Sequence, residues 1–143
     1  MPSVLRTPAR LTVGVRPFGM DSQTIRDWAT AYIALQLDGD HQLDNHPKFW
    51  AAEQFMSPGT SASAEDCWAA ILEVLSRNPP EQVIGILAAG PLEDLIHAAG
   101  PDFIERIEIQ AHRDSAFRRL LGSVWESSTP EIWERVLAAR GSL

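Results

Sequence analysis

The residues best equipped for chemistry crowd into one short stretch, Asp38-Gly39-Asp40-His41-Gln42-Leu43-Asp44-Asn45-His46. Three carboxylates and two imidazoles within these nine residues are a donor set that hard or borderline cations accept, with Asp38, Asp40, His41, Asp44 and His46 as the ligands. The spacing argues against a dedicated metal loop. Gly39 takes the second position of a calcium loop, no acid falls at its twelfth, and the histidines lack the helical His-Glu-x-x-His spacing of zinc hydrolases. The plainer expectation is a solvated turn leading into a helix that begins at Pro47.

A second group is Glu108 and His112, one helical turn apart, with His97 expected on the preceding helix. Buried in a cleft, such a pair works as a general base. On a surface it is an ordinary helical pair worth a few tenths of a kcal/mol. The single cysteine, Cys67, sits beside Trp68 in an apolar-periodic run and reads as a buried, inert thiol. It also excludes an intramolecular disulfide and a Cys-rich zinc framework. No serine lies in a nucleophile elbow. Gly90 and Gly100 lack the clustered glycines and following lysine of a phosphate loop. No catalytic residue is assigned, and no cofactor is expected. Phe49 and Trp50, in HPKFW, have two readings: core under the neighbouring loop, or an exposed aromatic anchor for a partner protein.

The elements that must position these residues are helical. Asp21-Ser22 makes a helix cap, and Ile25, Trp28, Ala29 and Tyr32 follow at the spacing of one helix face, up to about Leu37. Pro47 suits the first turn of a short helix carrying Phe49, Trp50, Ala52 and Phe55. The segment 57–63, SPGTSAS, is a loop and a candidate hinge. Ser63 with Asp66 caps a helix whose buried face is Trp68, Ile71, Leu72 and Leu75, and Asn78-Pro79-Pro80 stops it. Helices are then expected from Glu81, around Leu92–Ile96, over Phe103–Ala111, over Phe117–Val124 with a break near Asp114-Ser115, and from Pro130. The five tryptophans are spread so that each helical segment brings one large side chain to packing.

Four letters, AAGP, occur twice, at 88–91 and 98–101. Glycine after a helix is the usual left-handed cap, proline opens the next helix without losing a needed hydrogen bond, and acids in the new first turn face the positive end of its dipole. Gly90-Pro91 and Gly100-Pro101 are therefore expected to be structural corners between short helices, with Gly90→Ala costly. The fold class that follows is all-α: an irregular bundle of about seven to eight short helices, or a short solenoid-like stack of helix pairs.

The sequence has 143 residues, one domain's length, with ordinary globular composition and a formal net charge of −7. Residues 1–19 hold Arg6, Arg10 and Arg16 and no acid. They read as a flexible basic tail in which Leu11–Val15 could be a lone strand, with Met20 an alternative start. Residues 20–143 form the single helical domain. With three of the twelve basic residues in the tail, the body carries nine against nineteen acids, a balance that repels nucleic acid and suits a basic partner. Arg106, Arg113, Arg118 and Arg119 are interleaved with Glu105, Glu108 and Asp114, a mixed surface and not a basic patch. No apolar run approaches a membrane span and no secretory signal is visible, so the expectation is a cytoplasmic protein away from membranes.

The blocks HPKFWAAE, CWAAILEVL, AAGPLEDLI, FIERIE, FRRLLGSVW and EIWERV, in that order, resemble a family of small bacterial helical proteins of unknown function. The resemblance covers roughly residues 22–140. It implies a bacterial origin and a helical fold, and it carries over no catalytic residue. The leading functional expectation is a non-enzymatic protein-binding module; an inhibitory, immunity-like or adaptor role fits that class. Its candidate contact residues are Phe49, Trp50, Glu93, Asp94, Asp102 and Glu105, and its partner an unidentified, basic protein. Two alternatives stay open: a metal-dependent or acid–base enzyme using His41 and His46 or His97, Glu108 and His112, and a structural protein that self-associates.

Overall fold

Helix α1 (Ser22–Leu37) starts where the Asp21 carboxylate accepts the Thr24 backbone N–H at 2.8 Å, and it buries Ile25, Trp28, Ala29, Tyr32 and Leu35 along one face. The computed structural model describes residues 19–38, 45–56, 58 and 62–141. The Leu11–Val15 segment, nearly all of the basic tail, Asp40, His41, Asp44 and most of the 57–63 loop lie outside the described residues. Helix α2 (Phe49–Glu53) is a short piece laid on α1. There the Trp28 indole N–H donates to the Ala51 carbonyl at 2.7 Å, and Phe55 stacks at 4.5 Å from Trp28 and edge-on at 5.0 Å from Tyr32.

Helix α3 (Ala64–Ser76) is capped by Ser63, whose Oγ accepts the Asp66 N–H at 3.0 Å and donates to Asp66 Oδ2 at 2.9 Å. Asp66 is itself buried and also receives the Met20 backbone N–H at 3.1 Å, tying the entry of α1 to the start of α3. Helix α3 ends at Ser76 with Arg77 as its cap, and Asn78, whose φ of 49° is left-handed, follows before the two prolines. Three further helices, α5 (Glu93–Arg113), α6 (Ser115–Leu121) and α7 (Pro130–Arg140), complete the bundle after α4 (Glu81–Leu87). Asp114 caps α6, Thr129 with Pro130 opens α7, and Gly141 at φ 67° closes it. Helices α1 and α3 pack together, as do α5 and α7. Trp68 joins the two halves, with ring centroids 5.8 Å from Phe103 of α5 and 5.6 Å from Phe117 of α6.

The all-α bundle stands, with fewer breaks than expected. Residues Glu81–Arg113 form one continuous helical run, so the described residues make six helices. Neither AAGP copy is a left-handed corner. In the first, Ala88–Leu92 is a π turn in which the Glu93 N–H reaches back five residues to the Ala88 carbonyl. Pro91 has no N–H for the Leu87 carbonyl, and its ring would collide with that carbonyl in a regular α-helix; widening the turn relieves both. In the second, the run bends at Ala99 (φ −139°, ψ 24°), two residues before Pro101. Glycine before each proline removes the Cβ that a proline ring disfavours in helical backbone. The first proline thus widens a helix into a π turn, while at the second two helical pieces meet across a kink at Ala99, so a break falls there without a left-handed glycine.

That run also corrects the expectation that no segment is long and apolar enough to span a membrane: by length and composition this one is. Half of its apolar window is buried inside the bundle, where Val83, Leu87, Leu95, Ile96, Phe103, Ile104 and Ile107 belong to the core. The tryptophan expectation holds for Trp28 and Trp68, which are buried, but Trp50 is 42% and Trp125 75% exposed.

Candidate functional site

The π turn faces α1 and α2 across a cavity of about 350 Å³. Periodicity puts Tyr32 on the buried face of α1, and Gln36 follows one turn later at the edge. Helix α2 supplies Phe49 and Ala52, and the chain leaving it supplies Phe55 and Met56. Ile86 comes from α4, Gly90 and Pro91 from the π turn itself, and Asp94 from the first turn of α5. A Cβ placed on Gly90 would meet nothing within 4 Å, so the turn leaves open space there. The lining is mainly apolar and aromatic, with a few polar groups, the usual composition of a binding cleft.

Two polar groups in it are out of balance. The Tyr32 hydroxyl is buried and has no hydrogen-bond partner among the described residues, and burial holds its pKa above the ordinary phenol range. A buried hydroxyl left unpaired costs about 1–3 kcal/mol. Asp94 is exposed at the edge, yet partial desolvation raises its pKa, with the Glu93 carboxylate adding to the rise and His97 opposing it. The same carboxylate reinforces the effect of burial on Cys67, whose thiol is pushed up to about 11. Asp94 has no ion pair among the described residues. Other acids do: Glu65 with Arg106 at 2.7 Å, Glu73 with Arg77 at 3.1 Å, Glu81 with Arg119 at 3.1 Å, and Glu108 with Arg135 at 2.6 Å.

The residues singled out from sequence divide clearly. Phe49 and Asp94 meet in the cleft, joined by Gly90 and Pro91 in a role other than corners. Trp50 lies exposed on the same short helix as Phe49. The Glu93 carboxylate accepts the Trp125 N–H at 3.2 Å, while Asp102 and Glu105 stand exposed farther along α5, away from the cleft lining. Gly100 is a close-approach position: a Cβ there would lie 2.7 Å from Ser128 Oγ.

Of the metal candidates, Asp38 Oδ2 and His46 Nε2 come together at 2.6 Å. The Lys48 N–H donates to His46 Nδ1 at 3.0 Å, so Nε2 carries the ring proton and donates to Asp38. Both imidazole nitrogens are thereby engaged in bracketing the turn before α2. Among the described residues no group of three or more His, Cys, Asp or Glu side chains is placed to hold a metal.

Of the acid–base group, Glu108 and His112 border one cavity with Arg118, but His97 stands apart from them. His97 and His112 lie on one helix, α5, fifteen residues apart, roughly 22 Å along its axis. Glu108 is gripped by Arg135 through two hydrogen bonds of 2.6 and 2.8 Å, which hold its carboxyl below the usual range. A carboxylate so paired is a poor proton acceptor.

Sequence reading missed Gln36, Met56 and Ile86 as cleft residues and placed Tyr32 in plain core. Ile86 gave no sequence signal, since its i+3 spacing from Val83 reads as core, yet it is 41% exposed. Met56 had none, as it lies past the end of a helix too short to show a period.

A family of unknown function, DUF6869, matches residues 38–143. The chain belongs to this family. The match takes in α2 through α7 and leaves α1 outside, a later start than the span of roughly 22–140 expected from the resemblance. The cleft is therefore built between the family region, which supplies Phe49, Ile86, Pro91 and Asp94, and α1, which supplies Tyr32 and Gln36. No curated protein and no solved structure matches the chain.

Proposed function

We propose that this DUF6869 member is a non-catalytic binding module that engages a partner protein at the cleft between α1, α2 and the π turn. The observation that supports this most is the composition of the cleft. Exposed Met56 and Ile86 flank an aromatic floor, and no pair of side chains there is arranged as an acid and a base. Exposed apolar side chains beside a concavity are the usual anchor points of protein recognition. The net charge of −7 favours encounter with a basic surface. An inhibitory or adaptor role is how such a module would act.

The test is affinity capture from the source organism with three versions of the full chain: wild type, Ile86→Arg and, as a control at an exposed position of α7 outside the cleft lining, Glu131→Gln. Ile86 is exposed, so the arginine is tolerated by the fold while it blocks the cleft edge with a cation. The expected result is one stoichiometric partner retained by wild type and Glu131→Gln and lost by Ile86→Arg. Equal retention by all three would place binding elsewhere, and recovery of no stoichiometric partner by wild type would remove the reading.

A further inference from the structure

We propose that the cleft receives a basic side chain of the partner, a lysine or arginine whose aliphatic stem lies on the apolar wall and whose cation meets Asp94. The inference rests on the binding-module reading and names the group that enters the site.

Three features of the cleft point to an organic cation. The first is its walls: Tyr32, Phe49 and Phe55 bring three aromatic rings to one cavity, and the negative face of an aromatic ring attracts a cation. The second is the carboxylate. Asp94 lies against the apolar lining with no ion pair among the described residues, and it pays a desolvation cost that a cation would offset. Glu93 and Asp102 also form no ion pair among the described residues, so what sets Asp94 apart is its place as the one carboxylate in the cavity lining. The third is the supply of acceptors. Gln36 adds an amide oxygen at the edge, and the Tyr32 phenol stays neutral with no internal partner.

Size and polarity narrow the occupant. A volume of about 350 Å³ admits a single long side chain and not a folded element. The mainly apolar wall favours the methylene stem of lysine or arginine, which buries along apolar surface while its charged head stays at the wet edge. A metal ion is excluded by the donor set, since Asp94 is the lining's one carboxylate and no imidazole or thiol joins it. An anionic occupant would meet Asp94 and Glu93 with like charge.

The test uses the full chain, isotopically labelled, titrated with four capped tripeptides, Gly-X-Gly with X lysine, arginine, norleucine or glutamate. Amide and side-chain resonances are followed by NMR. The lysine and arginine peptides are expected to shift the Gln36 side-chain amide and the backbone of residues 90–94, with norleucine at least about tenfold weaker and glutamate silent. Asp94→Asn should weaken the cationic peptides by a similar factor and leave norleucine unchanged. Norleucine binding as well as lysine would overturn the inference, as would shifts confined to the acidic surface of α5 beyond residue 100, or no shifts at all. The two readings separate. A partner lost by Ile86→Arg yet kept by Asp94→Asn would leave the binding module standing and remove the cation.

Discussion

At the scale of single residues, the cleft holds two side chains whose local energetics run against stability. The Tyr32 hydroxyl is buried without a partner, so Tyr32→Phe removes a desolvated group and keeps the ring that packs on Phe55. The expected outcome in a denaturant melt is a gain of up to about 1 kcal/mol; a loss would mean that the hydroxyl is hydrogen-bonded in solution. Asp94 behaves likewise through pH. Its folded pKa is raised from 3.8, chiefly by burial, so its contribution to stability is present below 3.8 and is lost as pH rises through the folded value. Asparagine does not titrate. Asp94→Asn should therefore melt ever higher relative to wild type as the pH is taken from acid to neutral, while binding of the lysine peptide falls. A variant that loses ground on wild type over the same range would show Asp94 to be favourably paired. Stability given up at residues lining a cleft is a familiar signature of function.

At the scale of elements, the distinction between a corner and a distortion decides what glycine does. Gly90 and Gly100 have the composition of caps, and nothing local in AAGP separates a left-handed cap from a pre-proline glycine inside a helix. The outcome is set by whether core residues on both sides keep one helical phase. Leu87, Leu92 and Ile96 do so through the first copy, once one extra residue is absorbed in the π turn. Among the described residues the left-handed positions fall at Asn78, Ser128 and Gly141. Of these, Asn78 before two prolines was readable as a helix stop, whereas Ser128 is fixed by its tertiary approach to Gly100. Two substitutions separate the roles. Gly85 lies inside α4 with nothing within 4 Å of its missing Cβ, so Gly85→Ala should stabilise by about 0.5–1 kcal/mol. At Gly100 the added methyl would press on Ser128 Oγ at 2.7 Å and Ile132 Cγ2 at 3.1 Å, so Gly100→Ala should destabilise by about 1–3 kcal/mol. Chemical denaturation of both variants checks the signs. An unchanged or raised midpoint for Gly100→Ala would mean that α7 does not approach the kink so closely, and a lowered one for Gly85→Ala would mean that its Cβ does not stand in open space.

At the scale of the whole molecule, the five tryptophans report what sequence could and could not show. Trp28 and Trp68 sit at periodic positions of long helices, so their burial was legible, and they are 0% and 8% exposed. The same periodicity made the all-α class and the caps at Asp21, Ser63 and Thr129 legible. Trp50 on a five-residue helix and Trp125 in the loop after α6 have no period to be read against, and they are 42% and 75% exposed. The cleft was hidden for a related reason: its lining comes from three separated segments, and only their packing decides which face of each stays open. Trp133 is intermediate, packed against the core with the Arg140 guanidinium 5.6 Å from its ring centre. This distribution predicts fluorescence quenching by acrylamide in two components, one steep and one shallow. Trp50→Phe with Trp125→Phe should remove the steep component and shift the remaining emission to shorter wavelength, because the indoles left behind are in or against the core. Trp50→Phe alone should remove the smaller part of it, in keeping with the lower exposure. If the steep component survives even when Trp68→Phe and Trp133→Phe are added, so that Trp28 alone reports, the half of the bundle that holds Trp28 opens readily in solution. The cleft it frames with α2 would then be a site formed on binding, instead of one standing ready for its partner.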